Sequence, residues 1–361
     1  MSSNSKLRLA LFFGGQSPEH EVSIRSARNI AAAVRPDRYE LLLVGVDKSG
    51  RWFEVEPQAF FADALHIEQG HQLALIPGHA QASVVRMSDR SPLHIDVVFP
   101  IIHGPNGEDG SLQGVLRQLG LPFVGPDVTA SAAAMDKDLC KRILREAGQL
   151  VAEGFTFGKH EAAAIDYAGV VNKLGSPVFI KPANMGSSVG VSRADNAEEF
   201  AAAVAEAFRY DKKILVEEMI QGRELECAVM GNAIPQASGV GEVVKNEKFY
   251  DYESKYLSDT AAEVVIPAKG IDAKTQEKLR YVALQAYRAL GCEGMTRVDM
   301  FLTADDRVYV NELNTLPGFT SISMYPKLWQ AAGMSYAQLI DKLVDLALEK
   351  AAEEAALEKV L

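Results

Sequence analysis

The chain has 361 residues, 48% of them hydrophobic and 24% charged, a composition that suits a globular protein with a substantial core and two or three domains. A net charge of −11 and a pI of about 5.2 exclude a general nucleic-acid surface but leave room for a local basic pocket. Cys140, Cys227 and Cys292 are scattered without a CxxC pair, which fits buried thiols in a reducing compartment better than a disulfide framework or a zinc site.

The first apolar run, LRLALFF, contains Arg8 and breaks at Gly14-Gly15, so it is too short for a secretory signal. No apolar run approaches the roughly 18 residues of a membrane helix. A soluble, cytoplasmic protein with no membrane or nucleic-acid partner is the expectation. Residues 7–13 read as a strand, and GGQSPEHEVS as a turn entering a helix. Ser17 is placed to cap that helix, Pro18 suits its first position, and Glu19 and Glu21 favour its positive end. Val22, Ala27, Ile30, Ala31 and Val34 give it an apolar face. LLLVGVD is a second strand, 50–90 is irregular with no catalytic role assigned, and DVVFPII is a strand ahead of HGPNGEDGSLQG. This alternation implies an α/β unit with functional loops at the strands' carboxyl ends. No GxGxxG follows the first strand, which argues against a dinucleotide fold.

Around 126 the pattern changes. DKDLCKRILREAG is an amphipathic helix, PVFIKP and VGVSRA are strands flanking NMGSSVGV, and a helix and the strand KILVEEMI follow. Beyond 220, RELECAVMG, MTRVDMF and RVYVNEL read as three strands, with a long helix at 272–290 and a polar, fraying helix at 350–361. The organisation expected is mixed α/β and α+β, with domains at 1–125, 126–219 and 220–361.

In MTRVDMF, Arg297 and Asp299 are two apart and share one face of a strand, as do Glu312 and Asn314 in RVYVNELN. If the two strands pair, one face presents all four. Carboxylate and amide oxygens suit Mg²⁺ or Mn²⁺, and an adjacent arginine suits a phosphoryl oxygen. Either strand alone reads more simply as a solvated polar face. Lys181 ends the apolar run PVFI, and Lys137 sits near a helix start, where a cation gains nothing from the helix dipole. Read with the loop Gly186-Ser187-Ser188, they imply a nucleotide held between two small sheets. The loop is not a Walker A motif, since no Lys-Ser or Lys-Thr follows its second glycine. It is either a flap whose amides meet phosphate oxygens or an ordinary hairpin turn. Glu217, Glu218 and Glu224 either receive hydrogen bonds from a base and ribose or stand as exposed strand carboxylates.

GGQSPEHEVS, HGPNGEDGSLQG, MDKD, FIKPANMGSSVGVS, FYDYESKY, TRVDMF and NELNTLPGFTSISMYP, in that order from residue 14 to residue 326, resemble the D-alanine–D-alanine ligase family of the ATP-grasp superfamily. The resemblance implies a three-domain ATP-grasp architecture, a homodimer, and ligation of two D-alanines through an acyl phosphate made from ATP. It implies two Mg²⁺ or Mn²⁺ on Asp299, Glu312 and Asn314. Lys137 and Lys181 would meet the ATP phosphates under the flap Gly186–Ser188. Glu217, Glu218, Met219 and Ile220 would meet adenine, and Glu224 the ribose. Glu21 would pair with the first substrate's ammonium near His103. Arg297 and the Gly318 amide would stabilise the oxyanion, while Ser323 and the Met324 backbone would receive the second carboxylate. Lys255 and Tyr256 would sit on a lid, Tyr256 joining a Glu21–Ser187–Tyr256 set. The tyrosine in ESKY favours the dipeptide product over D-alanyl-D-lactate or D-alanyl-D-serine. A non-catalytic nucleotide sensor is disfavoured because the metal ligands and Arg297 are all present.

Overall fold

A computed structural model describes residues 6–78, 82–245 and 262–358. Its first sheet has the order β5-β4-β3-β2-β1-β6. The strands β1 (Leu7–Gly14), β2 (Tyr39–Val46) and β6 (Val97–Pro100) run parallel. Leu9 to Phe13 are wholly buried, as expected of a parallel strand covered on both faces. The segment expected to be irregular adds β3 (Trp52–Glu54), β4 (His71–Leu75) and β5 (Val84–Arg86), antiparallel, to one edge. Runs of three to five residues are too short to show alternation, which is why the sequence hides them.

The first helix starts at His20 and not at Pro18. Gly14 and Gly15 both have positive φ (+89° and +99°), so the chain turns sharply before it can wind. Ser17 Oγ accepts the Glu19 N–H at 3.1 Å inside that turn, so it does not cap the helix.

The second sheet, ordered β7-β10-β8-β9, contains β7 (Gly154–Gly158), β8 (Val178–Pro182), β9 (Ser192–Ala194) and β10 (Lys213–Glu218). Ile180, Ile214 and Val216 bury one face under the helices Tyr167–Leu174 and Ala197–Tyr210. The third, ordered β13-β12-β11-β14-β15, contains β11 (Gly222–Gly231), β12 (Gln236–Lys245), β13 (Ala262–Val265), β14 (Gly294–Thr303) and β15 (Val308–Asn314). Cys140 and Leu144 of helix Lys137–Glu146 pack into its core beside Cys227, Val298 and Leu313. That helix therefore stands between the second and third sheets and carries Lys137 at its start.

The last helix, Tyr336–Ala355, is amphipathic and docked along its length up to Lys350, and beyond that residue its described end is polar and largely exposed, as expected. Leu339, Ile340, Leu343 and Val344 join one core with Leu9, Leu11, Phe99 and Phe319. Phe319 is wholly buried, edge-on to Phe99 at 5.6 Å, and so anchors the turn after β15. Truncating a buried phenylalanine costs about 3–5 kcal/mol. No helix among the described residues is long and apolar enough to cross a membrane.

Candidate active site

β14 and β15 pair antiparallel with Arg297 opposite Asn314 and Asp299 opposite Glu312, so the four side chains meet on one face. The Arg297 fork donates to both Asp299 oxygens at 2.7 Å, and its Nε lies 2.9 Å from Glu226 on β11. Burial alone would lower the Arg297 pKa, but Asp299, Glu226 and Glu312 hold it well above its ordinary value. Asn314 Nδ2 donates to Asp299 at 3.0 Å. This is an oxygen-rich set of the kind a hard divalent cation takes, with two carboxylates facing each other in register. Among the described residues no group of three His, Cys, Asp or Glu is placed to hold a metal ion, so this set rests on two carboxylates and the Asn314 amide.

Lys137 Nζ lies 3.8 Å from Glu312 and donates to the Met185 carbonyl, linking the metal-type strand to the start of the flap. Asp136, not Lys137, satisfies the helix N-terminus, accepting from Asp138 and Leu139. The face of the second sheet opposite the Ile180, Ile214 and Val216 core carries Lys181 and Glu217, 2.6 Å apart. Lys141, one helical turn after Lys137, approaches the other Glu217 oxygen at 3.0 Å. Burial would raise the Glu217 pKa, yet the two ammonium groups outweigh it and hold it at about 2. The first task of Glu217 is therefore to hold Lys181. Glu218 accepts the Glu153 N–H at 2.9 Å, Met219 is exposed, and Ile220 and Glu224 are half-buried along the same run.

In the flap, Ser187 and Ser188 both have left-handed φ (+52° and +60°), and Val189 N–H closes onto the Gly186 carbonyl at 3.1 Å. Two such residues in succession are the pattern of a type I′ turn, normally built from Gly or Asn. Serine there carries backbone strain of the sort found at ligand clamps.

The Ser187 hydroxyl donates to Glu19, not to Glu21. Glu19 is 7% exposed, and its Oε2 is so close to Gly104 and Gly186 that a Cβ at either would lie 3.0 Å away. Glu21 is a correction to the sequence reading. Its side chain is 70% exposed and pairs with Lys48 at 3.1 Å, because the helix begins two residues later than expected and turns Glu21 to solvent. Lys255 and Tyr256 lie outside the described residues.

His103 is buried and bridges two elements, with Nε2 3.1 Å from Ser26 Oγ and Nδ1 3.0 Å from the Leu316 carbonyl. Burial lowers its pKa, the neighbouring Glu19 notwithstanding, so the ring is neutral. A Cβ at Gly318 would meet Ser323 Oγ at 2.7 Å, so a side chain there would displace the Ser323 hydroxyl. Ser323 precedes helix Met324–Ala331 without capping it by its side chain, which leaves first-turn amides as donors for an anion. Glu19, Glu108, Lys141 and Glu226 are the site residues that sequence reasoning missed. Glu19 carried a signal in sharing EHE with Glu21, and Glu108 in standing within HGPNGEDG.

Two family models match the chain, the N-terminal region of D-Ala-D-Ala ligases over residues 8–126 and the C-terminal region over 143–345. The chain belongs to the D-Ala-D-Ala ligase family. It is 52% identical over 361 residues to a D-alanine–D-alanine ligase A of Chromobacterium violaceum, covering 98% of each. It is 49% identical over 363 residues to the ligase A of Escherichia coli K12, covering 99% of this chain and 100% of the other. The fold matches a D-alanine-D-alanine ligase structure from Coxiella burnetii with a TM-score of 0.85 at 36% identity, covering 97% of each chain. It matches the D-Ala:D-Ser ligase VanG from Enterococcus faecalis with the same score at 34% identity, covering 95% of this chain and 100% of that one. The mixed α/β ATP-grasp architecture expected from the sequence is the one found, built on three sheets.

Proposed function

We propose that the chain joins two D-alanine molecules to D-alanyl-D-alanine, with ATP converted to ADP and phosphate, for peptidoglycan precursor synthesis. The observation that carries this reading is the registry of Arg297, Asp299, Glu312 and Asn314, with Lys137 Nζ 3.8 Å from Glu312. The first D-alanine carboxylate attacks the γ-phosphorus of ATP, breaking the bond to the β,γ-bridging oxygen and giving D-alanyl phosphate and ADP. The second D-alanine's amine then attacks the acyl carbon, loses a proton, and phosphate leaves. Lys137 and Lys181 hold the phosphates, and the flap Gly186–Ser188 closes over them to keep water from the acyl phosphate. Glu19 takes the first substrate's ammonium in the role first given to Glu21. Arg297 and the Gly318 amide meet the developing oxyanion, where preorganised donors count most. Ser323 and the Met324 amide receive the second carboxylate. Glu217, Glu218, Met219 and Ile220 line the adenine site, and Glu224 meets the ribose. Asp299, Glu312 and Asn314 would hold two Mg²⁺ or Mn²⁺, which supply charge neutralisation at the transferring phosphoryl group.

We further propose a cytoplasmic homodimer with domains at 1–125, 126–219 and 220–361, as the family resemblance suggests. D-Alanine-dependent ADP release, with mass analysis of products from a mixture of D-alanine, D-lactate and D-serine, tests the reaction. D-Alanyl-D-alanine should dominate. An ester or D-serine product would overturn the specificity, and ADP release independent of D-alanine would overturn the ligase reading.

A further inference from the structure

The turn that carries Gly318 is fastened at one end to helix His20–Ala33 and at the other to the loop after β6. Phe319 N–H donates to Ser26 Oγ at 3.2 Å. Ser26 Oγ lies 3.1 Å from His103 Nε2, and His103 Nδ1 lies 3.0 Å from the Leu316 carbonyl. A carbonyl only accepts, so Nδ1 carries the ring proton and Nε2 accepts from the Ser26 hydroxyl. Leu316 N–H in turn donates to Glu108 Oε1 at 3.2 Å, and Gly104 N–H donates to Glu108 Oε2 at 2.6 Å. Anchors at 316 and 319 thus flank Pro317-Gly318, with proline's fixed φ between them. Ser26 is wholly buried, and both its donor and its acceptor function are spent in this chain.

One helical turn earlier, Ser23 does a similar job on other backbone. Its Oγ accepts Gly14 N–H at 2.8 Å and donates to the Ile101 carbonyl at 2.6 Å. Ser23 therefore fixes the ends of β1 and β6 to each other. Ser26 has a different partner, the turn of the third sheet that brings the Gly318 amide to the site.

We propose that Ser26 and Glu108 are positioning residues that hold the 316–319 turn, through His103 and directly, so that the Gly318 N–H is aimed at the oxyanion of the ligation step. The proposal rests on the functional reading above. Neither side chain needs to touch substrate. A donor stabilises a transition state only if it requires no reorganisation when the charge appears. A displacement of about 1 Å is enough to cost roughly 100-fold. Acyl-phosphate formation does not use the carbonyl oxyanion, so the two chemical steps should respond differently.

The test compares wild type, Ser26→Ala and Glu108→Gln in full-length enzyme. Ser26→Ala should lower kcat for dipeptide formation about 10- to 100-fold, with KM for ATP and the first D-alanine within about threefold. Glu108→Gln, which keeps the shape but only one acceptor oxygen, should show the same split at about 3- to 10-fold. Positional isotope exchange in ATP labelled at the β,γ-bridge, at low D-alanine, reads the first step alone and should fall far less than ligation. Amide hydrogen exchange in peptides spanning 315–325 should accelerate while the rest of the chain stays at wild-type rates. Equal losses in exchange and ligation, or kcat within twofold in a folded Ser26→Ala, would overturn the proposal. If Ser26→Ala does not fold, Glu108→Gln decides by the same criteria. Wild type that makes no dipeptide would overturn the functional reading instead, and the hydrogen-exchange comparison would still decide whether these residues hold the turn.

Discussion

Replacing Glu217 by Gln keeps its shape and removes one charge from a buried cluster of three. The carboxylate is 3% exposed, with Lys181 Nζ 2.6 Å from one oxygen and Lys141 Nζ 3.0 Å from the other. Burial opposes the charge, but the two lysines prevail and lower its pKa from 4.5 to about 2. At about 1.36 kcal/mol per pH unit, that fall corresponds to about 3 kcal/mol of native-state stabilisation. Burial also lowers the pKa of Lys141 in spite of Glu217, so part of the carboxylate's gain is offset by desolvating the ammonium. The figure is therefore a ceiling, and Glu217→Gln should cost about 2–3 kcal/mol at neutral pH. The sign follows from the direction of the shift. A carboxyl with a lowered folded pKa contributes fully above about pH 4.5, and the contribution is lost as pH falls toward about 2. The assay is urea unfolding of wild type and variant followed across that range, with ATP affinity measured at neutral pH. At a slope of about 3 kcal/mol/M the midpoint should drop by up to about 1 M, and ATP should bind more weakly because Lys181 loses its partner. A cost below about 1 kcal/mol, or one unchanged between neutral pH and pH of about 3, would refute the reasoning.

Glu312→Gln is nearly isosteric and should abolish turnover at saturating Mg²⁺ while leaving circular dichroism unchanged; wild-type rates would remove Glu312 from the metal set. Arg297→Lys keeps the charge but loses the two-pronged contact with Asp299, so kcat should fall roughly 100- to 1000-fold with little change in ATP binding. Equal loss of ATP affinity with kcat intact would make Arg297 a ground-state ligand. Glu19→Gln should raise the first D-alanine KM and depress turnover, whereas Glu21→Gln should stay within about twofold of wild type, since an exposed ion pair such as Glu21–Lys48 is worth about 1 kcal/mol or less. The reverse order would restore the sequence-based assignment.

What the sequence made legible was local. The four-residue face of β14 and β15 follows from alternation within each strand, and the short connection between them makes pairing nearly automatic. Lys181 at the end of an apolar strand and the glycine-flanked serines were legible for the same reason. β12 was not, because Gly239 and Gly241 interrupt its apolar run; yet a Cβ at Gly241 would meet Met324 Sδ at 2.6 Å, so the glycine leaves room for the Met324 side chain where helix Met324–Ala331 crosses the sheet. Lys141 reads as a surface lysine on an amphipathic helix until its partner on β10 is in place.

The displacement of Glu21 by Glu19 is the most instructive case. Ser17-Pro18 is a sound helix-start signal, and it puts both glutamates in a first turn where they look equivalent. The positive-φ pair Gly14-Gly15 delays the first turn, and two residues of delay rotate a helical position by about 200°. Glu19 then stands at the boundary and meets Gly104, Gly186 and Ser187, which come from two other segments, while Glu21 turns out toward Lys48. No local preference separates the two residues. What separates them is close approach, since the lack of side chains at 104 and 186 leaves room for one carboxylate, and Ser187, in its strained left-handed conformation, supplies that carboxylate with a donor. The strain in the flap and the burial of Glu19 are therefore two ends of one contact. A change that crowds this contact, such as Gly186→Ala, whose Cβ would lie 3.0 Å from Glu19 Oε2, should disturb Glu19 first.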